Sequence, residues 1–238
     1  MYKIMSEIFP DIMIAVDGCS STGKSSLAKA IARRLGFMYL DSGALYRGVT
    51  LFARREGLIS AMDVVRPELE DRLRGLDLHF DAENRLYEGD TCIEDEIRGM
   101  EVSSQVSPIA AVPYVREWVD TRLHLLASKR RAVMDGRDIG TTVFPDAEIK
   151  IFLTADEKVR AKRRYDELVA KGKTATLEDV ELNLRHRDYI DSHRETSPLR
   201  RAEDAYILDN SNLDIPQEVE WVVGLIQGKF AIYGDWEG

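Results

Sequence analysis

The stretch from Ile12 to Leu35 limits what this chain can fold into more than any other. Ile12-Met13-Ile14-Ala15-Val16 is an unbroken apolar run of the length expected for a strand buried on both faces. Leu27, Ile31 and Leu35 then recur at helical spacing. Between them lies GCSSTGKSS, residues 18–26, with Gly18, four residues, then Gly23, Lys24 and Ser25. Strand, glycine turn and helix in this order make a phosphate loop. Successive backbone N–H groups and the positive helix start face an anion, Lys24 adds a full charge, and Ser25 offers a hydroxyl to a metal ion. An ordinary Gly/Ser turn ahead of a helix is the plainer alternative, and both the spacing and the two flanks oppose it.

A strand buried on both faces needs neighbours. Phe37–Leu40, Ala132–Met134, Ile149–Leu153 and Ala205–Leu208 are further candidates separated by helical segments, which predicts an α/β fold with a parallel five-stranded sheet flanked by helices. The rhythm breaks at residues 75–93, where Leu76, Leu78 and Phe80 alternate with polar residues between turn signals. This predicts a small antiparallel sheet inserted into the core. Glu101–Ala111 and Val115–Ser128 follow as helices, with Pro108 and Pro113 as punctuation.

The 238 residues, 44% hydrophobic and 32% charged, suit one sizeable core or a core with a smaller appended domain. A net charge of −9 argues against general nucleic-acid binding. Anionic ligands must then meet local basic clusters, such as Arg160, Arg163 and Arg164, or the run of arginines from Arg185 to Arg201. The N-terminal MYKIMSEIFPD carries acidic residues and a proline where a signal peptide would be apolar, and no apolar run approaches membrane-spanning length. A soluble, cytoplasmic protein is expected. Cys19 and Cys92, without metal-like pairing, fit a reducing compartment. Cys19 lies near a helix start and Lys24, an environment that lowers a thiol pKa and would make it reactive; an inert buried thiol is the other reading.

A phosphate loop names a ligand and no reaction. There is no Asn-Lys-x-Asp stretch to read guanine. YLDSGALYRGV (39–49) follows the second strand at the carboxyl edge of the sheet, where open α/β sheets bind ligands. VMDGRDIGTTVFPDAEIKIFL (133–153) puts Asp135 at a strand end, suited to organising magnesium, with Arg137 two residues on. Taken alone, Asp135 could cap a turn and Arg47 could be a solvated helix residue. Beside a phosphate loop they read as a second phosphate site.

With IRGMEVSSQVSPIAAVPYVRE, RAKRRYDEL and RHRDYIDSHRETSPL, these stretches resemble the bacterial-type cytidylate kinases, of the nucleoside monophosphate kinase family, from about Ile12 to Ile226. Cys19 stands where that family usually has proline and Ser25 where many members have glycine; neither change removes a backbone donor. The resemblance implies a P-loop kinase core over 10–58 and 130–230 with a short helical lid at about 155–173, and an inserted NMP-binding subdomain over 59–129. It implies ATP with Mg²⁺ as donor, CMP or dCMP as acceptor, no nucleic-acid or membrane partner, and a monomer.

The same resemblance assigns ATP to Gly18, Cys19, Ser20, Ser21, Thr22, Gly23, Lys24, Ser25 and Ser26, with Arg160, Arg163 and Arg164 folding over it from the lid. Ser42, Arg47 and Arg137 would hold the acceptor phosphate, where the planar arginine fork suits phosphate. Ser104, Arg116 and Asp138 would read cytosine, whose exocyclic amine is a donor that acceptor oxygens select over the carbonyl of uracil. Arg187 and Asp191 would take the acceptor's phosphate and sugar, and Arg194 would lie near the transferring group. Ser25 and Asp135 would hold the metal, directly or through water. Lys24, Arg137, Arg194 and Asp135 form the catalytic set. An ionised phosphate oxygen is already nucleophilic, so in-line positioning and charge neutralisation suffice without a general base.

Each assignment has a plainer reading. Arg187, Asp191 and Arg194, at i, i+4 and i+7, would also make a surface salt-bridge ladder; the lid arginines a solvated basic helix; Ser104 a helix-start residue. The rival functions are a kinase for UMP or AMP, and a non-catalytic nucleotide-binding regulator. The regulator has no need for the second set of Arg47, Arg137, Arg187 and Arg194.

Overall fold

The structure is a computed structural model that describes residues 9–232 other than 63, 82, 129 and 130. The reading of the first eight residues and the 129/130 boundary therefore lie outside the described residues. The chain runs β1 (Met13–Gly18), α1 (Lys24–Leu35), β2 (Met38–Asp41), α2 (Ser42–Arg55), α3 (Leu69–Leu73), β3 (Leu78–Phe80), β4 (Leu86–Glu88) and β5 (Thr91–Cys92). It continues through α4 (Met100–Ala110), α5 (Pro113–Leu126), β6 (Ala132–Gly136), β7 (Ile149–Thr154), α6 (Glu157–Ala170), α7 (Leu177–His193), β8 (Tyr206–Asp209) and α8 (Ile215–Phe230).

Five strands form the parallel sheet, in the order β2-β6-β1-β7-β8. All five were legible as apolar runs: β6 and β1 are buried throughout, as strands covered on both faces must be, while the edge strands β2 and β8 keep the run although Met38, Tyr206 and Ile207 are exposed. Along β1, Met13 and Ala15 face one hydrophobic cluster, shared with α2, α4 and α5. Ile14 and Val16 face the other, shared with α1 and α8.

The antiparallel sheet β3-β4-β5 forms where the alternating pattern predicted it. It leans on α2 at Gly48, where a Cβ would come within 2.7 Å of Leu78 Cδ1 and 2.8 Å of Leu86 Cδ2. The cluster that includes Met13 and Met134 runs on without a break to Leu69, Leu86 and Val119, so the inserted residues share a core with the sheet. Helices α6 and α7 pack on each other through a small cluster of their own, Ala161, Leu168, Val180 and Leu184.

One expectation is corrected. Pro108 does not punctuate; it lies inside α4, while Pro113 does open α5. In the last turn a proline removes one hydrogen bond, and Ala111 N still reaches the Ser107 carbonyl at 3.0 Å.

Candidate active site

The carboxyl ends of all five parallel strands converge on one edge, with central β1 feeding the glycine turn. Gly18, at φ 149°, lies so close to β7 that a Cβ would sit 2.1 Å from the Leu153 carbonyl oxygen, so only glycine lets the two strands meet there. Ser21 (φ 58°) and Gly23 (φ 96°) turn the chain into α1. Lys24 is buried; its Nζ donates to the Cys19 carbonyl and, at 3.2 Å, to Thr22 Oγ1. Burial, then repulsion from Arg137, pushes its pKa down to about 7.

Ser25 Oγ donates to Asp135 Oδ2 at 2.8 Å, and the Tyr39 hydroxyl donates to Oδ1 at 2.7 Å. Burial, with Asp41 nearby, raises the Asp135 pKa above the usual carboxylate value. Ser42 Oγ is bonded to the Asp135 carbonyl at 2.6 Å. These contacts open onto a cleft of about 450 Å³ in which Ser21, Lys24 and Ser25 face Arg47, Arg137 and Arg187. Arg187 Nε meets no acceptor among the described residues. Burial, followed by repulsion from Arg137, draws its guanidinium down to about 10. Such a cluster, with an unused donor, suits a phosphate.

Beside it lies a narrower cavity of about 60 Å³ that shares Arg47, Arg137 and Arg187 and adds Arg116, Asp138, Asp191 and Arg194. Arg116 donates to Asp138 Oδ2 and Arg194 to Oδ1, the latter at 3.3 Å. Arg137 bridges the two cavities, with Nε on Asp191 Oδ2 at 2.8 Å and Nη2 on Ser20 Oγ at 3.0 Å. Arg47 rests on Asp41 at 2.8 Å, and Asp41 caps α2 through Ala44 N at 2.9 Å. Sequence reasoning passed over Asp17. Its carboxylate accepts from Ile139 N (2.8 Å) and Gly140 N (2.7 Å), so it holds the loop that presents Arg137 and Asp138. Burial lifts its pKa to about 6. The available signal was a carboxylate ending an apolar strand immediately before Gly18.

Two expectations change on the structure, and one open question narrows. Ser104 is exposed, its hydroxyl bonded to the Glu101 carbonyl at 2.8 Å, and it does not line the narrow cavity. Ser107 does, buried and bonded to the Asp191 side chain. The reason is the phase of α4, which turns Glu101 and Ser104 to solvent and could not be read from a segment with serines at 103, 104 and 107.

The three arginines expected to fold over ATP are not directed to one face. Arg160 bonds the Ser20 carbonyl at 3.0 Å and Asp188 at 2.5 Å, and Arg163 bonds Asn210; of the three, only Arg164 lines the phosphate cleft. For Cys19 the structure favours the inert reading over the reactive one. Burial, reinforced by Asp188, raises its thiol pKa, which outweighs the pull of Arg160 and Lys24.

The family model described as "Cytidylate kinase" matches residues 14–228, a span that contains both cavities. The chain belongs to the cytidylate kinase family. A cytidylate kinase of Bacteroides thetaiotaomicron is 48% identical over 216 residues, covering 89% of this chain and 94% of its own. One from Porphyromonas gingivalis is 49% identical over 224 residues, with 91% and 96% covered. One from Streptococcus thermophilus is 44% identical over 216 residues, with 89% and 94% covered. For this member of the cytidylate kinase family, no helix among the described residues is long and apolar enough to cross a membrane.

Proposed function

We propose that the protein transfers the γ-phosphoryl group of ATP to CMP or dCMP, giving CDP or dCDP and ADP, in pyrimidine nucleotide metabolism. The observation that carries this reading is Arg137. One guanidinium lines both cavities and is bonded to Ser20 of the phosphate loop on one side and to Asp191 on the other. A transferring phosphoryl group needs charge neutralisation at that junction.

In the reaction an ionised phosphate oxygen of the acceptor attacks the γ-phosphorus in line, the bond to the β–γ bridging oxygen breaks, and ADP leaves with that electron pair. Lys24, Arg137 and Arg194 offset the developing charge, while Ser42, Arg47 and Arg187 hold the acceptor phosphate. Arg116, Asp138 and, in place of Ser104, Ser107 face the base. Arg116 and Asp138 now pair with one another, with Arg116 Nε left without a partner among the described residues, so base binding exchanges an internal ion pair for contacts to cytosine. An exocyclic amine can replace an arginine as donor to Asp138, whereas the carbonyl of uracil cannot, which favours CMP over UMP.

Among the described residues no group of three or more His, Cys, Asp or Glu could hold a metal ion. A divalent cation would rest on Ser25, Asp135 and the oxygens of its nucleotide, a hard-oxygen set that fits magnesium. When bound, it supplies charge neutralisation at the donor phosphates. The residues from 59 to 129 act as the NMP-binding subdomain and those from about 155 to 173 as the lid, which excludes water on closing. The working unit is a monomer in the cytoplasm that binds no nucleic acid, in keeping with the net charge of −9.

The test is ADP production from Mg-ATP with CMP, dCMP, UMP and AMP in parallel, with Arg137→Ala as control. Turnover restricted to CMP and dCMP, and lost in the control, is expected. Equal rates with UMP would leave a less selective monophosphate kinase; no acceptor-dependent turnover would favour the nucleotide-binding regulator.

A further inference from the structure

Asn210, immediately after β8, is buried, with both side-chain N–H groups and its side-chain oxygen hydrogen-bonded. Its Nδ2 donates to the Thr22 carbonyl at 2.9 Å and to Glu218 Oε1 of α8 at 3.0 Å. Its Oδ1 and backbone carbonyl accept from Arg163 of α6, at 3.0 and 2.8 Å. One side chain therefore ties the phosphate loop, the first lid helix and the last helix together. Arg163 also reaches the Thr22 carbonyl, at 3.4 Å.

The Thr22 carbonyl is the informative contact. In a trans planar peptide the C=O and the following N–H point to opposite sides. Anchoring the Thr22 oxygen on Asn210 therefore directs the Gly23 N–H the other way, toward the cleft that Gly23 itself lines. Gly23 sits at φ 96°, and glycine has little intrinsic resistance to rotation of that peptide. A flipped peptide would present a carbonyl oxygen to phosphate where the cradle needs a donor. Glu218 completes the arrangement through its Oε1 bond to Asn210, while its buried Oε2 has no partner among the described residues.

We propose that Asn210 is a positioning residue for the phosphoryl donor, holding the Thr22–Gly23 peptide in the orientation that binds ATP without touching the acceptor. Asparagine is suited to this because the site needs two donors on one atom and an acceptor beside it. Aspartate has the same shape but would set a carboxylate against the Thr22 carbonyl and Glu218. The proposal rests on the ATP-dependent kinase reading above.

The experiment compares wild type, Asn210→Asp and Asn210→Ala by calorimetric titration with a non-hydrolysable ATP analogue with Mg²⁺, and separately with CMP. Steady-state KM values for each substrate accompany the titrations. The expected result is a loss of ATP-analogue affinity of roughly tenfold in the alanine variant and more in the aspartate variant, with CMP affinity held within about twofold. Unchanged analogue affinity in either folded variant overturns the proposal, as does an equal loss for both ligands, which marks a general structural role. Should the aspartate variant not fold, the alanine variant decides. Failure of the wild type to bind the analogue or to phosphorylate CMP would sink the kinase reading instead.

Discussion

Ser25, in the first turn of α1, and Asp135, on β6, lie 110 positions apart in sequence and share a hydrogen bond of 2.8 Å. The bond exists because parallel pairing sets β6 directly beside β1, with Val16 opposite Asp135. Tyr39, on the other neighbour β2, holds the second carboxylate oxygen at 2.7 Å. Three elements thus orient one carboxylate.

Removing that orientation should weaken the metal–nucleotide complex. Tyr39→Phe leaves both proposed metal ligands in place, and its expected effect is a rise of about tenfold in the Mg²⁺ concentration for half-maximal activity. Ser25→Ala, which deletes a ligand, should cost more. A magnesium titration at saturating ATP and CMP checks both, and an unshifted Tyr39→Phe curve would remove the phenol from the account.

Lys24 gives a pH dependence of definite sign. Burial holds its pKa at about 7 before nucleotide binds, and a phosphate at its Nζ raises it. ATP binding near pH 8 should therefore take up most of one proton, and ATP affinity should fall as pH rises above about 7. Titration calorimetry in buffers of different ionisation enthalpy measures the uptake directly; Lys24→Met should abolish it.

Asp17 acts on stability. Its folded pKa of about 6 lies above the ordinary value of 3.8, so the native state binds the proton more tightly. Its contribution is fully present below pH 3.8 and is lost as pH rises through about 6, a change of about 3 kcal/mol. Asp17→Asn removes this titration. The stability of wild type relative to the variant should decline across that window in urea melts at a series of pH values, and a flat difference would contradict the assignment.

Asp138→Asn should act on choice of base. Substitution breaks a buried pair with Arg116 and Arg194 and exchanges a pure acceptor for an amide that serves either base. The expected result is a loss of roughly 10²-fold or more in kcat/KM for CMP, with CMP and UMP drawn to within about tenfold of each other. Parallel kinetics with both acceptors check it.

The sheet, the phosphate loop and the antiparallel insert were all legible along the chain because each is a local pattern. An apolar run, a glycine spacing and a two-residue alternation depend on residues within a few positions of one another. The same holds for Lys24, Ser25 and Arg137, each of which lies in a short motif at a strand end.

What tertiary structure alone decided was which side chains meet. Ser107 rather than Ser104 faces Asp191 because packing sets the phase of α4. Arg160, Arg163 and Arg164 share a few residues of one helix, yet the direction of each depends on Asp188, Asn210 and Glu167, which lie on other elements or turns. Asp17 and Asn210 carry no motif, since Asp17 holds the Ile139 and Gly140 amides and Asn210 the Thr22 carbonyl, backbone groups more than a hundred residues away whose positions exist only once the strands have paired. Local pattern specifies elements over short range; burial and hydrogen-bond satisfaction, which act through space, assemble the site from their ends.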